Sequence, residues 1–280
     1  MEQVQLDGAT TSSRRDGLNQ ASWSDPDTVR WFTGFEGWSD RGEQLALESI
    51  EAELRGQPVL DLGIGAGRTT TLLRRLTDDY VGIDYLPEMV EAASAKHPGV
   101  RIELGDARDL GRFAEATFAA VMFSWNGIDA VSHTDRQLIL AEVQRVLRPG
   151  GIFMYSTHNM GGPGFGQKPW GDRFAARHPR MALELATHLP GNIRAYRRNR
   201  SLEEVHEDWA MRVAAAHGFG IVIHYTTVAA ARAEAARAGF APDPEVFESD
   251  GGARVPIGST SRAFWLHLVA RKPEGAPDAP

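Results

Sequence analysis

Apolar residues along this chain recur with two periods. Short, nearly continuous apolar runs over residues 58–62, 80–84, 100–104, 118–123 and 152–156 predict buried strands. Segments with helical spacing lie between them. Residues 69–76 and 87–96 predict helices, and 136–147 predicts an amphipathic one carrying Leu138, Ile139, Leu140, Val143 and Val146. Pro149-Gly150-Gly151 stops that helix. Strands alternating with helices at this spacing predict an α/β protein with a doubly wound, mostly parallel sheet. Ligands of such sheets bind beyond the carboxyl ends of the strands, where strand order reverses.

The flanks break the alternation. Residues 1–21 are polar and aperiodic and predict a disordered tail. Residues 22–56 predict a helical lid: Asp25-Pro26 reads as a helix start, and a second helix begins near Asp40. Residues 57–158 form the predicted core. Residues 159–220, rich in Gly, Pro and Arg, predict an insertion after the fifth strand that serves as a substrate lid. Residues 221–271 return to the core sheet, with strands at 221–225, 245–248 and 263–271 and a helix at 228–238. Residues 272–280 predict a second disordered tail.

Composition narrows the chemistry. The chain has 280 residues, of which 42% are hydrophobic, enough for a sizeable core. No apolar run approaches the ~20 residues of a membrane helix. The first twenty residues lack the apolar stretch of a signal peptide, so a cytoplasmic protein without membrane contact is expected, as monomer or homodimer. The absence of cysteine excludes a thiolate nucleophile, a Cys-ligated iron–sulfur cluster and a Cys adduct to cytosine. A net charge of −7 argues against a nucleic-acid partner. The local cluster Arg194, Arg197, Arg198 and Arg200 reads as a solvated face before it reads as an anion site.

The motif Asp61-Leu62-Gly63-Ile64-Gly65-Ala66-Gly67 stands between a predicted strand and helix. Glycines there permit a tight turn and close approach of backbone N–H groups to a ligand. The spacing is not the G-x-G-x-x-G of dinucleotide sites, and no Gly-Lys-Ser/Thr of a P-loop follows. Asp61 would repel a phosphate but suits a ligand with an ammonium and a sulfonium, so the loop favours S-adenosylmethionine. Asp84 ends the next strand, where a carboxylate can accept both ribose hydroxyls; the competing role is a cap before Pro87. Asp106 follows the third strand and can accept from an adenine amino group while Ala107 offers its N–H; an ordinary turn Asp is the alternative.

Together, residues 59–67, Asp84, Gly105-Asp106 and the turn at 145–151 resemble the successive motifs of the class I S-adenosylmethionine-dependent methyltransferases, over more than a third of the chain. The resemblance implies a Rossmann-like sheet of seven strands whose last, 263–271, is antiparallel. It implies a cofactor site of Asp61, Gly63, Gly65, Gly67, Asp84, Tyr85, Asp106, Ala107 and Ser124. The lid and the insertion lie outside it.

The acceptor side rests on fewer residues. Ser124-Trp125-Asn126-Gly127 ends the fourth strand and differs from the Asn/Asp-Pro-Pro-aromatic motif of methyltransferases acting on amino groups of DNA or protein glutamine. Asn126 is a candidate to orient the acceptor or a simple turn residue. His158, at the end of the fifth strand, is the preferred general base and Tyr225 the reserve; a structural role is open for both. Trp23, Trp31, Phe35, Trp38 and Trp125 are the candidate substrate-binding aromatics, with a core helix face as the alternative. Asp129 has no acidic partner near His158, so no metal is expected. Three readings stand: methylation of a small aromatic or indole-like metabolite at C, N or O, methylation of RNA or protein, and a non-catalytic S-adenosylmethionine-binding regulator.

Overall fold

The computed structural model describes residues 2–170 and 179–275. It opens with α1 (Glu2–Trp23), α2 (Pro26–Thr33) and α3 (Arg41–Leu54). Asp25 caps α2 by accepting from the Asp27 and Thr28 N–H groups, and Asp40 caps α3 by accepting from that of Glu43. The alternating part follows as β1 (Val59–Leu62), α4 (Thr70–Leu73), β2 (Tyr80–Asp84), α5 (Pro87–Lys96), β3 (Ile102–Leu104), β4 (Phe118–Phe123), α6 (His133–Val146) and β5 (Leu147–Asn159). Beyond it come α7 (Pro179–Asn199), β6 (Glu204–Val205), β7 (Trp209–Ala214), α8 (Ala216–Phe219), β8 (Ile221–Thr226), α9 (Val228–Arg237), β9 (Glu245–Glu248) and β10 (Trp265–Arg271).

Strands β3-β2-β1-β4-β5 pair in that order and in parallel. β10 runs antiparallel to β5 from Ile152 to His158, and β9 antiparallel to β10. These seven strands are the predicted sheet with its reversed last strand, and strand order reverses between β1 and β4. Side chains alternate between its two faces. Leu60, Leu62, Val121, Phe153 and Tyr155 meet Ile139, Leu140 and Val143 of α6 and Ala231 and Ala235 of α9. Val59, Ala120, Met122, Ile152 and Met154 meet Ala46, Ile50 and Leu54 of α3.

At His158 the outer edge of β5 changes partner. β10 ends there, and β8 pairs in parallel through His158↔Tyr225 and Asn159↔Thr226. β8 continues antiparallel to β7, and β7 to β6, as a wing at the carboxyl end of the sheet. Tyr196 of α7 packs with Met211, Val213 and Val222 on one face of this wing. Ile221, Ile223 and Tyr225 point to the other face, toward Trp23 and Phe165.

Three expectations are corrected. Residues 2–23 form α1, where a disordered tail was expected; Met1 lies outside the described residues. The helix lacks an apolar stripe, and polar contacts hold it. The Asn19 amide donates to the Val222 and Ala130 carbonyls and accepts from the Val222 N–H, and Arg15 Nε donates to the Leu202 carbonyl. Second, β8 belongs to the wing, because only two of its residues pair with β5. Third, the expected C-terminal tail begins anchored. Lys272 Nζ donates to the Gln144 and Leu147 carbonyls, while residues 276–280, like 171–178 of the expected insertion, lie outside the described residues.

Candidate active site

Three adjoining cavities follow the carboxyl ends of the strands. The first is lined by Gly63, Gly65, Asp84, Tyr85, Phe123, Ser124, Trp125 and Asn126, among others. A second shares Gly63, Tyr85, Phe123, Gly127 and Ala130 with it and reaches Gly105, Asp106, Ala107 and Arg108. A third shares Trp23, Phe32, Trp125, Asn126 and Ala130 with the first and reaches His158, Tyr225, Phe264 and Trp265. A two-part cleft over the glycine loop therefore opens into an aromatic chamber.

The loop makes its turn with Gly63, Gly65 and Gly67 at φ of 58°, 53° and 83°. A Cβ on Gly63 would meet the Phe123 ring at 2.5 Å, and one on Gly67 the His97 ring at 2.6 Å. A Cβ on Gly65 would have no neighbour nearer than Phe32 at 3.8 Å, so Gly65 faces the open cleft. Asp84 braces the loop: its carboxylate accepts from the Gly65 and Leu86 N–H groups, each at 2.9 Å. Burial pushes this carboxyl up to about 6, against the lowering effect of those N–H groups. Asp84 and Tyr85 both border the cleft, with the cradle at Gly65 beside them. These features fit a nucleoside with ribose hydroxyls to donate.

Not every predicted cofactor residue reaches the cleft. Asp61 is fully buried beneath the loop, where it accepts from the Thr69 and Tyr80 hydroxyls at 2.6 and 2.9 Å. Burial raises its carboxyl to about 7. Its Oδ1 is buried without a hydrogen-bond partner, so Asp61 shapes the loop from below. Gly67 packs on α5, its carbonyl against His97 Nε2 at 2.9 Å. Asp106 borders the second cavity, but Arg108 Nε takes both its oxygens at 3.0 Å. The adenine acceptor role is thereby contested. Burial would raise that carboxyl, but Arg108 reverses the effect and holds it below its ordinary value. Ser124 borders the cleft with its hydroxyl engaged: it accepts from Arg68 and donates to Glu43. Arg68 and Glu43 form a bidentate buried ion pair at 2.8 and 2.9 Å, and Arg68 lies 4.7 Å over the Trp125 ring.

Trp125 and Asn126 turn the chain after β4 with φ of 50° and 59°. Two successive non-glycine residues in the left-handed region are strained, and such strain concentrates at functional sites. The turn sets Trp125 against Trp31 in a stack at 5.9 Å, with Phe32, Phe35 and Trp38 around it. Trp23, Trp31 and Trp125 line the aromatic chamber. Phe35 and Trp38 are not among its lining residues: they lie beyond the end of α2 at Thr33 and pack on Trp125. Phe32, Phe264, Trp265 and His217 line it as well. His217 lies in a kinked segment (φ 51°) with its Nδ1 3.2 Å from the Thr28 hydroxyl.

Asn126, His158 and Tyr225 all line the chamber, the last two with ring centroids 5.2 Å apart. The Asn126 side-chain oxygen is buried without a partner. The Tyr225 hydroxyl donates to the Gly164 carbonyl at 3.2 Å, and burial raises its pKa, which disfavours a role as base. His158 is different. Its Nδ1 lies 2.7 Å from Asp129 Oδ2, and Asp129 is fully buried. Reading the sequence for metal ligands missed this pairing; its only local signal is an acid three residues after Asn126. Among the described residues, no group of three or more His, Asp or Glu is placed to hold a metal ion.

Residues 59–151 match the family model described as a methyltransferase domain. An uncharacterized methyltransferase of Synechocystis is 37% identical over 117 residues, covering 42% of this chain and 54% of that one. A fatty-acid O-methyltransferase of Mycolicibacterium smegmatis is 33% identical over 112 residues, 39% of each chain. The chain spans about half the length of the first curated relatives it matches. A solved S-adenosylmethionine-dependent methyltransferase of Mesorhizobium loti shares the fold with a TM-score of 0.55 at 20% identity, over 82% of this chain and 98% of that one. Within this chain, residues 59–151 are the stretch that matches a methyltransferase domain.

Proposed function

We propose that the protein methylates a small, planar acceptor, an aromatic or indole-like metabolite, with His158 as general base. The observation that carries the reading is the chamber beside the cofactor cleft: it shares Trp125 and Asn126 with the cleft and carries His158 on its wall. Among the described residues that line it there is no Asp, Glu, Lys or Arg, which favours an uncharged ring over a carboxylate or an ammonium. Aromatic walls add about 0.5–1.5 kcal/mol per stacked pair beyond burial. A relative bearing the name fatty-acid O-methyltransferase is in keeping with a small acceptor. So is the placement of Arg194, Arg197 and Arg198: their helix α7 packs on the face of the wing opposite the chamber, away from any polymer threaded toward His158.

Bound S-adenosylmethionine supplies a methyl group on a sulfonium. Gly63, Gly65, Asp84 and Tyr85 would hold it, and the chamber walls would orient the acceptor in line, where proximity alone contributes about 7–11 kcal/mol. As the acceptor atom bonds to the methyl, the methyl–sulfur bond would break to leave S-adenosylhomocysteine, and the acceptor's proton would pass to Nε2 of His158, leaving an imidazolium beside Asp129. General-base help of this kind gives roughly 10²–10⁴-fold.

The test is a screen of ring metabolites for release of S-adenosylhomocysteine. Ring compounds are expected to score where RNA and protein do not. With an acceptor in hand, His158→Ala lowers the rate while cofactor affinity holds, and Trp31→Ala weakens acceptor binding alone. Full activity of His158→Ala refutes its role as base, and methylation of RNA with no small acceptor refutes the reading as a whole.

A further inference from the structure

Outside the residues that touch either ligand space, one buried network reaches His158. The His158 backbone N–H and Nδ1 both meet Asp129 Oδ2, at 2.6 and 2.7 Å. The other oxygen, Oδ1, accepts from the Thr157 hydroxyl at 2.7 Å and from Arg136 Nη1 at 2.5 Å. Arg136 is fully buried, and its Nε meets both Glu234 oxygens at 2.9 and 2.8 Å. Gln137 Nε2 donates to Glu234 from the side at 2.7 Å. Four elements contribute: the turn after β4, β5, α6 and α9.

From this arrangement we infer that Asp129 is a positioning residue that keeps the neutral His158 protonated on Nδ1 and bare on Nε2. An ionised carboxylate only accepts, so the nitrogen that faces Asp129 must bear the proton. The contact of the His158 N–H with the same oxygen fixes the ring against its own backbone. Two carboxylates share the single Arg136 guanidinium, so Asp129 retains charge to stabilise the imidazolium once a proton arrives. The other titratable groups around the ring are Tyr225, 5.2 Å away between ring centroids, and His224 of the same strand, which burial holds neutral. Neither competes for Nδ1. The network selects the acceptor chemistry as well. A base with an unprotonated nitrogen facing the chamber serves an acceptor that arrives with a proton on the atom to be methylated, such as a phenol or a ring N–H, and is of no use to a carboxylate already ionised.

The role rests on the reading of His158 as base, but its test needs no acceptor. Full-length protein labelled with ¹⁵N-histidine and saturated with S-adenosylhomocysteine is examined by long-range ¹⁵N–¹H correlation, with His158→Gln identifying the signals. The expected spectrum of neutral His158 shows a protonated Nδ1 and a bare Nε2. In Asp129→Asn, Arg136 and Thr157 retain the remaining carbonyl oxygen, and the amide NH₂ turns toward Nδ1. The proton is then expected to move to Nε2, a reversal of both shifts. Loss of the correct tautomer costs roughly 10⁴-fold in kcat in a serine protease. A protonated Nε2 in the wild type, which needs no variant to fold, overturns the assignment, as does an unchanged tautomer in folded Asp129→Asn. A failed acceptor screen with the expected spectrum overturns the proposed reaction alone and leaves the positioning role supported.

Discussion

Replacing Asp84 by Asn should separate what this carboxylate does for the fold from what it does for the cofactor. In the free protein it is buried against the Gly65 and Leu86 N–H groups, and its pKa rises from an ordinary 3.8 to about 6. The sign follows directly. A carboxyl raised in the folded state favours folding while protonated, below its unfolded value. That advantage is lost as pH climbs toward the folded one. The difference amounts to about 3 kcal/mol between pH 3.5 and pH 7.5. Asn carries no such dependence, although its NH₂ faces one of the two N–H donors, a mismatch that destabilises by about 1–3 kcal/mol at every pH. Relative to wild type, Asp84→Asn should therefore begin less stable at low pH and close or reverse that gap by pH 7.5. Affinity for S-adenosylhomocysteine should move the other way, because each charge-assisted bond from a ribose hydroxyl contributes about 1.5–3 kcal/mol. Urea titrations of both proteins across this range, with calorimetry at pH 7.5, read the two effects separately. A stability gap that does not vary with pH would refute the burial argument. Undiminished affinity would refute the ribose assignment, whatever the stability data show.

Gly65→Val should abolish cofactor binding measured by calorimetry, since its side chain enters the cleft from a backbone at φ 53°; normal binding would move the site elsewhere. Transfer should survive a strong chelator, and loss restored by added magnesium would overturn metal-independent chemistry. Deleting residues 1–21 should weaken S-adenosylhomocysteine binding at least tenfold. Asp16, Asn19 and Gln20 wall the second cavity, and Asp16 takes Arg108 Nη1 at 2.9 Å. Equal affinity in a folded truncation would show that α1 only decorates the sheet. Asn19→Ala should lower stability by about 1–3 kcal/mol in a denaturant titration, because it leaves the Val222 N–H and two carbonyls without their partner.

The strands, the glycine loop and Asp84 were legible in the sequence because their determinants are local. A buried parallel strand is a short apolar run, a turn at positive φ calls for glycine, and a strand end falls where the run stops. Residues 80–84, 87–96 and 118–123 match β2, α5 and β4 to the residue. Tertiary structure decided what depends on partners distant in the chain. α1 carries no apolar period, and contacts made across about 200 residues order it. The class of Asp61 as an acid was plain, but its place under the loop was settled by Tyr80 and Thr69 filling the space around it. Phe35 and Trp38 are aromatic like Trp31, but they follow the end of α2 and pack on Trp125, whereas Trp31 lines the chamber. His158 was a candidate on chemistry alone. Its link to Asp129, 29 residues earlier, exists because β4 and β5 are neighbours in the sheet, so the turn after one strand meets the end of the next. Local sequence sets backbone conformation and burial; strand order in three dimensions sets which charges meet.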